Sequence, residues 1–325
     1  MVGIFRQKNP GNSLILLGYG LVLKFGILLH PVGALQQEQD HYLYRLLLRL
    51  LAPFQIPDTV YGIAAFLLVF TQAIMINRIC VRQKLLPRPN FLPGMAFLLI
   101  SSFFIEWNHF SAPLLVNTLM VFIFHRMVNL YNSYRPVTEI FNTGLMMGLM
   151  TLLYQPAIVY VLLVPVALFI MRPFRIREWV VGMLGVTTPY YFLALEPIFT
   201  GQWNWRYLLP SIAADFPAMP DSILVTVSLA LLVVPFMIGG YFVQVNLNKM
   251  LIQIRKIWSL LLVFLIVSTG IILVSGGFGY VNWMFGLMPL AIFHAATYFY
   301  PTRKIMPLIL HWISFAYAIY LVYGW

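Results

Sequence analysis

The apolar residues of this chain fall in long blocks, near residues 12–30, 59–77, 91–105, 111–124, 139–154, 157–172, 179–198, 222–246, 257–275, 282–300 and 305–323. A hydrocarbon core of about 30 Å takes about 20 helical residues. The blocks therefore predict an all-α, polytopic transmembrane helical bundle of about eleven spans. Four blocks are short for that thickness. They pair as 91–105 with 111–124 and 139–154 with 157–172, which predicts two tight hairpins whose helices run past the apolar stretch at their cytoplasmic ends. Between the first two blocks the period changes. Leu43, Leu46, Leu47, Leu50 and Leu51 recur at three- and four-residue spacing, while Arg45 and Arg49 stand four apart on another face. That pattern predicts an amphipathic helix from about Asp40 to Leu51, lying in the interface plane.

Composition fits this picture. Hydrophobic residues make up 61% and charged residues 9%, where soluble domains carry about 25% charged. Lipid tolerates such a chain because helices satisfy their own backbone hydrogen bonds. No segment between blocks is long enough for a soluble domain, so residues 1–325 are expected to form one integral membrane domain. The single cysteine, Cys80, excludes an intrachain disulfide and a cysteine-based metal site. Arg6 and Lys8 precede an apolar stretch from Ser13 to Leu29, too long for a typical signal-peptide core and without a convincing cleavage site. It is expected to be a retained first span.

The net charge of +11 does not point to nucleic acid, because the basic residues sit in short clusters between apolar blocks. With the N-terminus inside, 16 of the 20 Lys and Arg residues fall on the cytoplasmic side, leaving Lys24, Arg45, Arg49 and Arg206. The positive-inside bias then predicts an N-in, C-out chain of a bacterial inner membrane. Seven of the nine acids lie outside, with Glu139 and Glu178 inside. Glu139 is expected to cap its helix or pair with Arg135 or Arg126.

The outward segments hold the candidate chemistry. Asp40 is expected at the N-terminus of the amphipathic helix as a cap, with Glu38 two residues earlier. Either these are a cap and a solvated neighbour, or one carboxylate is a general base or a ligand for a divalent cation. Lys24 lies about 9 Å below the outer end of the first span at 1.5 Å per residue. It either snorkels to the headgroups or offers a cation to a lipid phosphate, Glu38 or Asp40. Trp203, Trp205 and Arg206 form an aromatic and basic cluster in the second outward loop, fit for an interface belt or for a phosphate with a sugar beside it. Glu106 and His109 share an outer turn, and His41 stands beside Asp40. No zinc-protease, Walker, nucleophile-elbow or dinucleotide fingerprint is present. Gly144 and Gly148 form a small-residue pair of the kind that marks close helix packing. Carboxylates are nearly absent from mid-span, which disfavours a proton-coupled transporter.

The order of elements has a resemblance. A first span, an outward acidic loop with a surface helix, a second span, a basic link and two tight hairpins resemble the membrane module of the GT-C glycosyltransferases. The stretch NTGLMMGLMTLLYQPAIVYVLLVPVALFIMRPF at 142–174 looks like their hairpin. The resemblance covers residues 1–200, with 201–325 as additional spans, and rests on architecture. The segments MINRI, RQKLLPRPNFLP and MRPFRIREWVVGMLG also resemble an uncharacterised bacterial family of polytopic envelope membrane proteins. GT-C enzymes usually carry larger outer loops, from which this chain departs.

The GT-C resemblance implies a polyprenyl-phosphate-linked sugar donor and transfer on the periplasmic face. It assigns the catalytic carboxylate to Glu38 or Asp40 and the phosphate contacts to Arg206, Lys24 or Arg45. His41, Glu106, His109, Trp203 and Trp205 complete the candidate substrate-binding set. Expected partners are membrane lipids, that donor and other envelope membrane proteins. A non-enzymatic scaffold of an envelope complex is the alternative, with a lipid or small-molecule transporter behind it.

Overall fold

Nine consecutive residues, Leu92–Ile100, are apolar on every side and form a helix without an exposed face. A helix that is apolar all round belongs inside a bundle. The computed structural model, which describes residues 1–7, 9, 11–199, 222–274, 280–303 and 305–324, places it there. In chain order the helices are α1 (Val2–Phe5), α2 (Asn12–Leu29), α3 (Tyr42–Leu51), α4 (Asp58–Arg82), α5 (Leu92–Ile100), α6 (Ala112–Asn129), α7 (Pro136–Leu153), α8 (Leu163–Met171), α9 (Ile176–Phe199), α10 (Ile223–Asn246), α11 (Ile252–Val274), α12 (Leu287–Phe299) and α13 (Ile305–Tyr323). Helix α5 is walled by α2, α4, α12 and α13, and α10 closes over α12. No strand is formed among the described residues.

Five helices, Asp58–Arg82, Ala112–Asn129, Ile223–Lys249, Ile252–Leu273 and Ile305–Tyr323, are long and apolar enough to cross a membrane. The chain is an all-helical membrane protein. Asn12–Ile27 and Gln155–Met171 are shorter apolar helices. Three predicted blocks are built differently from a plain span. The block at 91–105 yields only α5, because after Ile100 the backbone tightens: Ser102 N–H donates to Leu99 O at 3.1 Å and Phe103 N–H to Ile100 O at 3.2 Å. The blocks at 157–172 and 282–300 open with tight 3₁₀ turns, Gln155–Leu162 and Tyr280–Gly286, before α8 and α12. Helices α6 and α7 do run past their apolar blocks, to Asn129 and from Pro136.

Cross-bundle hydrogen bonds sort the turns into two ends. At the basic end, Phe91 N–H donates to Phe5 O at 2.7 Å, and Gln253 donates to Gln83, which donates to Asn129. Glu139 pairs there with Arg126 at 2.7 Å, and Glu178 takes Arg172 in two bonds of 2.8 and 3.1 Å. At the opposite end, Leu35 N–H donates to Phe110 O at 2.9 Å and Trp107 Nε1 to Tyr280 O at 2.7 Å.

Two contacts fasten the middle. A Cβ added to Gly144 would lie 2.2 Å from Gly182 O, and one on Gly148 would lie 2.3 Å from Val186 O. Helices α7 and α9 therefore touch backbone to backbone, as the Gly144–Gly148 spacing predicts. Between α4 and α6, buried Gln72 donates to Thr118 Oγ1 at 2.6 Å and accepts from Asn117 Nδ2 at 3.0 Å.

Candidate functional site

Residues 31–41 form no helix, so their backbone groups need partners elsewhere. The Tyr44 hydroxyl takes Leu35 O at 2.8 Å. Gln37 N–H donates to Asp40 Oδ2 at 2.7 Å, and Asp40 N–H returns to Gln37 O at 3.1 Å. Residues 39–41 then run extended beside the end of α7. Gln155 N–H donates to Gln39 O and His41 N–H to Leu153 O, both at 3.1 Å, making an isolated antiparallel bridge between Asp40 and Tyr154. The Tyr154 ring is fully buried, and its hydroxyl meets both Gln39 Oε1 and Asn282 Oδ1 at 2.5 Å.

This corrects the expected start of the amphipathic helix. Helix α3 begins at Tyr42 with His41 as its N-cap. Asp40 does not cap it, because its carboxylate is already committed to the Gln37 amide and its backbone to the bridge. His41 itself is buried, with its carbonyl accepting Arg45 N–H at 3.2 Å. The amphipathic face is otherwise as predicted: Arg45 and Arg49 are exposed and the leucines turn inward, save Leu50.

The two guanidinium groups, Gln36, Gln37 and Asp40 line a cleft of about 380 Å³, closed on one side by Leu48 and Ala52. Asp40 is only 2% exposed. Burial pushes its carboxyl up to about 6, against the opposing pull of the Gln37 amide and the Arg45 charge. Its Oδ1 accepts no hydrogen bond among the described residues. Glu38 differs from it: the side chain is exposed, and it is the backbone carbonyl that receives Arg45 at 3.0 Å. Of the two candidate carboxylates, Asp40 is therefore the one set into the cleft. A carboxylate poised near neutral pH can take a proton from a hydroxyl, and two arginines can hold phosphate oxygens.

A divalent cation fits this donor set poorly. Asp40 Oδ1 is a lone carboxylate oxygen in a cleft that Arg45 and Arg49 also line. Among the described residues no group of three His, Cys, Asp or Glu side chains is placed to hold a metal ion.

The other candidates are dispersed. Lys24 is 1% exposed and its ammonium donates to Asn108 Oδ1, so it neither snorkels nor presents itself to a headgroup, Glu38 or Asp40. Asn108 in turn donates to Phe104 O at 3.1 Å, which anchors the pair in the α5–α6 turn. Glu106 and His109 are half-buried in that same turn. Burial pushes the His109 imidazole down, and the Glu106 charge partly restores it. Neither lines the cleft. Trp203, Trp205 and Arg206 lie outside the described residues. Sequence reasoning missed Gln36, Gln37 and the Gln39–Tyr154–Asn282 chain, and placed Arg49 on the amphipathic face without giving it a role. The period that marked Arg45 and Arg49 as neighbours was a usable signal; nothing local marked the others.

Comparison with known proteins finds no matching family model, no matching curated protein and no matching solved structure. The function is therefore argued from the geometry of the cleft.

Proposed function

We propose that this chain is a bacterial inner-membrane glycosyltransferase of envelope glycan or glycolipid assembly, using a polyprenyl-phosphate-linked sugar at the Asp40 cleft. The proposal keeps the N-in, eleven-span topology, which puts the cleft on the periplasmic face. One observation carries it: a buried carboxylate with a free oxygen stands beside Arg45 and Arg49 in a cleft next to a surface helix. Asp40 takes the proton of the acceptor hydroxyl, and that oxygen forms the new bond to the anomeric carbon. The bond from that carbon to the phosphate oxygen breaks, and polyprenyl phosphate departs with the electron pair. Arg45 and Arg49 meet the charge that develops there. Leu50, 62% exposed, and Phe54, 74% exposed, offer apolar surface to the prenyl chain. Lys24 has no contact role in this scheme.

The test uses the purified protein in lipid nanodiscs with polyprenyl-phosphate glucose as the probe donor, followed by mass spectrometry of cellular glycans. Asp40→Asn should bind the donor normally and lose transfer, while Arg45→Gln with Arg49→Gln should weaken donor binding. An unchanged glycan profile in cells carrying Asp40→Asn at normal protein level would remove the proposal. A protein co-purifying at fixed stoichiometry in that case would favour the scaffold.

A further inference from the structure

The link between α4 and α5, residues 83–91, is tightly built at the basic end of the bundle. Leu85 is buried and its N–H donates to Cys80 O at 3.0 Å. Asn90, also buried, accepts Leu92 N–H at 3.1 Å and donates to Arg88 O at 2.7 Å. Pro87 and Pro89 fix the backbone on either side of Arg88. Lys84 adopts φ 54° and its N–H donates to Val81 O at 3.3 Å; with the Leu85 bond this is the left-handed cap that commonly ends a helix.

The loop, the last turn of α4 and Ile254 of α11 enclose a hollow of about 410 Å³. Lys84 and Arg88 stand on its wall, while Val81, Leu86 and Ile254 make an apolar floor. The two described acids of this end are already occupied, Glu139 by Arg126 and Glu178 by Arg172. Among the described residues Lys84 and Arg88 form no ion pair. Two uncompensated cations above an apolar floor, at the end of a membrane-crossing helix, suit an amphiphile whose head is anionic.

We propose that this hollow is a binding site for an anionic phospholipid, its phosphate on Lys84 and Arg88 and the start of its acyl chains on Val81, Leu86 and Ile254. The site lies at the opposite end of the bundle from the Asp40 cleft and is independent of the proposed transferase. A soluble phosphate offers the same oxygens but nothing for the apolar floor, and the test separates the two.

The experiment is native mass spectrometry of the full chain, titrated with phosphatidylglycerol and, separately, phosphatidylcholine. Phosphatidylglycerol should be retained in preference. Lys84→Asn combined with Arg88→Gln should weaken that retention by roughly 30-fold, the effect of about two headgroup-facing cations; Asn is chosen because it tolerates the left-handed backbone. Arg88→Lys should retain the lipid, as should Arg255→Gln with Lys256→Gln, which removes equal charge from the same end outside the hollow. Should the double variant not fold, Arg88→Gln alone, at an exposed position, should still show a severalfold loss. Equal retention by wild type and the charge-removed variants overturns the proposal, as does an equal loss with Arg255→Gln and Lys256→Gln. Displacement of the lipid by millimolar inorganic phosphate would assign the hollow to a soluble anion instead.

Discussion

Asp40 and Tyr154, distant in sequence, are joined as an antiparallel backbone bridge, and the Tyr154 hydroxyl extends that join to Gln39 and Asn282. The bridge couples the first loop to the end of α7 and to the 3₁₀ turn before α12. It therefore fixes where the Asp40 carboxylate stands relative to Arg45 and Arg49 on α3.

Removing the Tyr154 hydroxyl should loosen this arrangement without emptying the core. Tyr154→Phe leaves the ring but deprives the buried Asn282 amide and the half-buried Gln39 amide of a partner, a change that costs about 2 kcal/mol. Hydrogen exchange should then rise at the amides of His41 and Gln155 while α5 stays protected. Unchanged exchange at those two amides would show that the backbone bridge holds the loop without the hydroxyl.

The pH dependence of the cleft follows from Asp40. Burial raises its carboxyl from 3.8 to about 6, so the folded protein holds this proton more tightly than the unfolded chain does. Between those two values the native state binds more protons, and the contribution of Asp40 to stability falls as pH rises. Above about pH 6 the group is charged and at its most costly. Asp40→Asn, whose amide oxygen still accepts the Gln37 N–H, should thus be at least as stable as wild type at pH 7. Its advantage should shrink as pH falls towards 4. Donor turnover, in contrast, should rise through about pH 6 in the wild type. Thermal unfolding across that range, read beside turnover, checks both signs.

The fold was legible to the extent that a hydrophobic block dictates a helix. The helices of α2, α4, α6, α7, α9, α10, α11 and α13 coincide with blocks, because uninterrupted apolar residues leave a chain in lipid no other way to satisfy its backbone. The failures are local and physical. Block length does not report that the backbone at Ser102 and Phe103 tightens to three-residue bonds and ends α5, or that the first turns of two blocks tighten to 3₁₀. The small-residue spacing of Gly144 and Gly148 was readable, since it encodes contact distance directly. The site was legible only in part. Arg45 and Arg49 announce a shared face by their spacing, and Asp40 is legible as a cap or as a general base or cation ligand, but the bridge to Tyr154 that decides where it stands leaves no trace near Asp40 in sequence. Lys24 was visible as a costly charge, while its partner Asn108 was not.

Close packing of α7 on α9 makes its own prediction. A Cβ on Gly144 meets the Gly182 carbonyl at 2.2 Å, and backbone cannot yield as a flexible side chain does. Gly144→Val should cost more than about 3 kcal/mol and abolish the monodisperse folded peak on size exclusion in detergent. Gly18, with nothing within 4 Å of an added Cβ, should accept Ala without loss.

The buried Lys24–Asn108 pair separates an enclosed charge from a useful one. An ammonium shut away with one neutral acceptor gains little from burial, so an apolar side chain of similar length should serve as well. Lys24→Met should leave thermal stability equal or raised: Asn108 Oδ1 loses its donor, while Asn108 Nδ2 keeps its bond to Phe104 O. Asn108→Leu should behave oppositely, because it leaves the buried charge without its acceptor, at about 2–3 kcal/mol. Combining the two substitutions should recover most of that loss, giving a strong coupling in the double-mutant cycle. Donor binding should be unchanged in Lys24→Met. If instead Lys24→Met loses donor binding while keeping its melting temperature, the ammonium reaches the substrate during turnover, and the phosphate contacts assigned to Arg45 and Arg49 would have to include it.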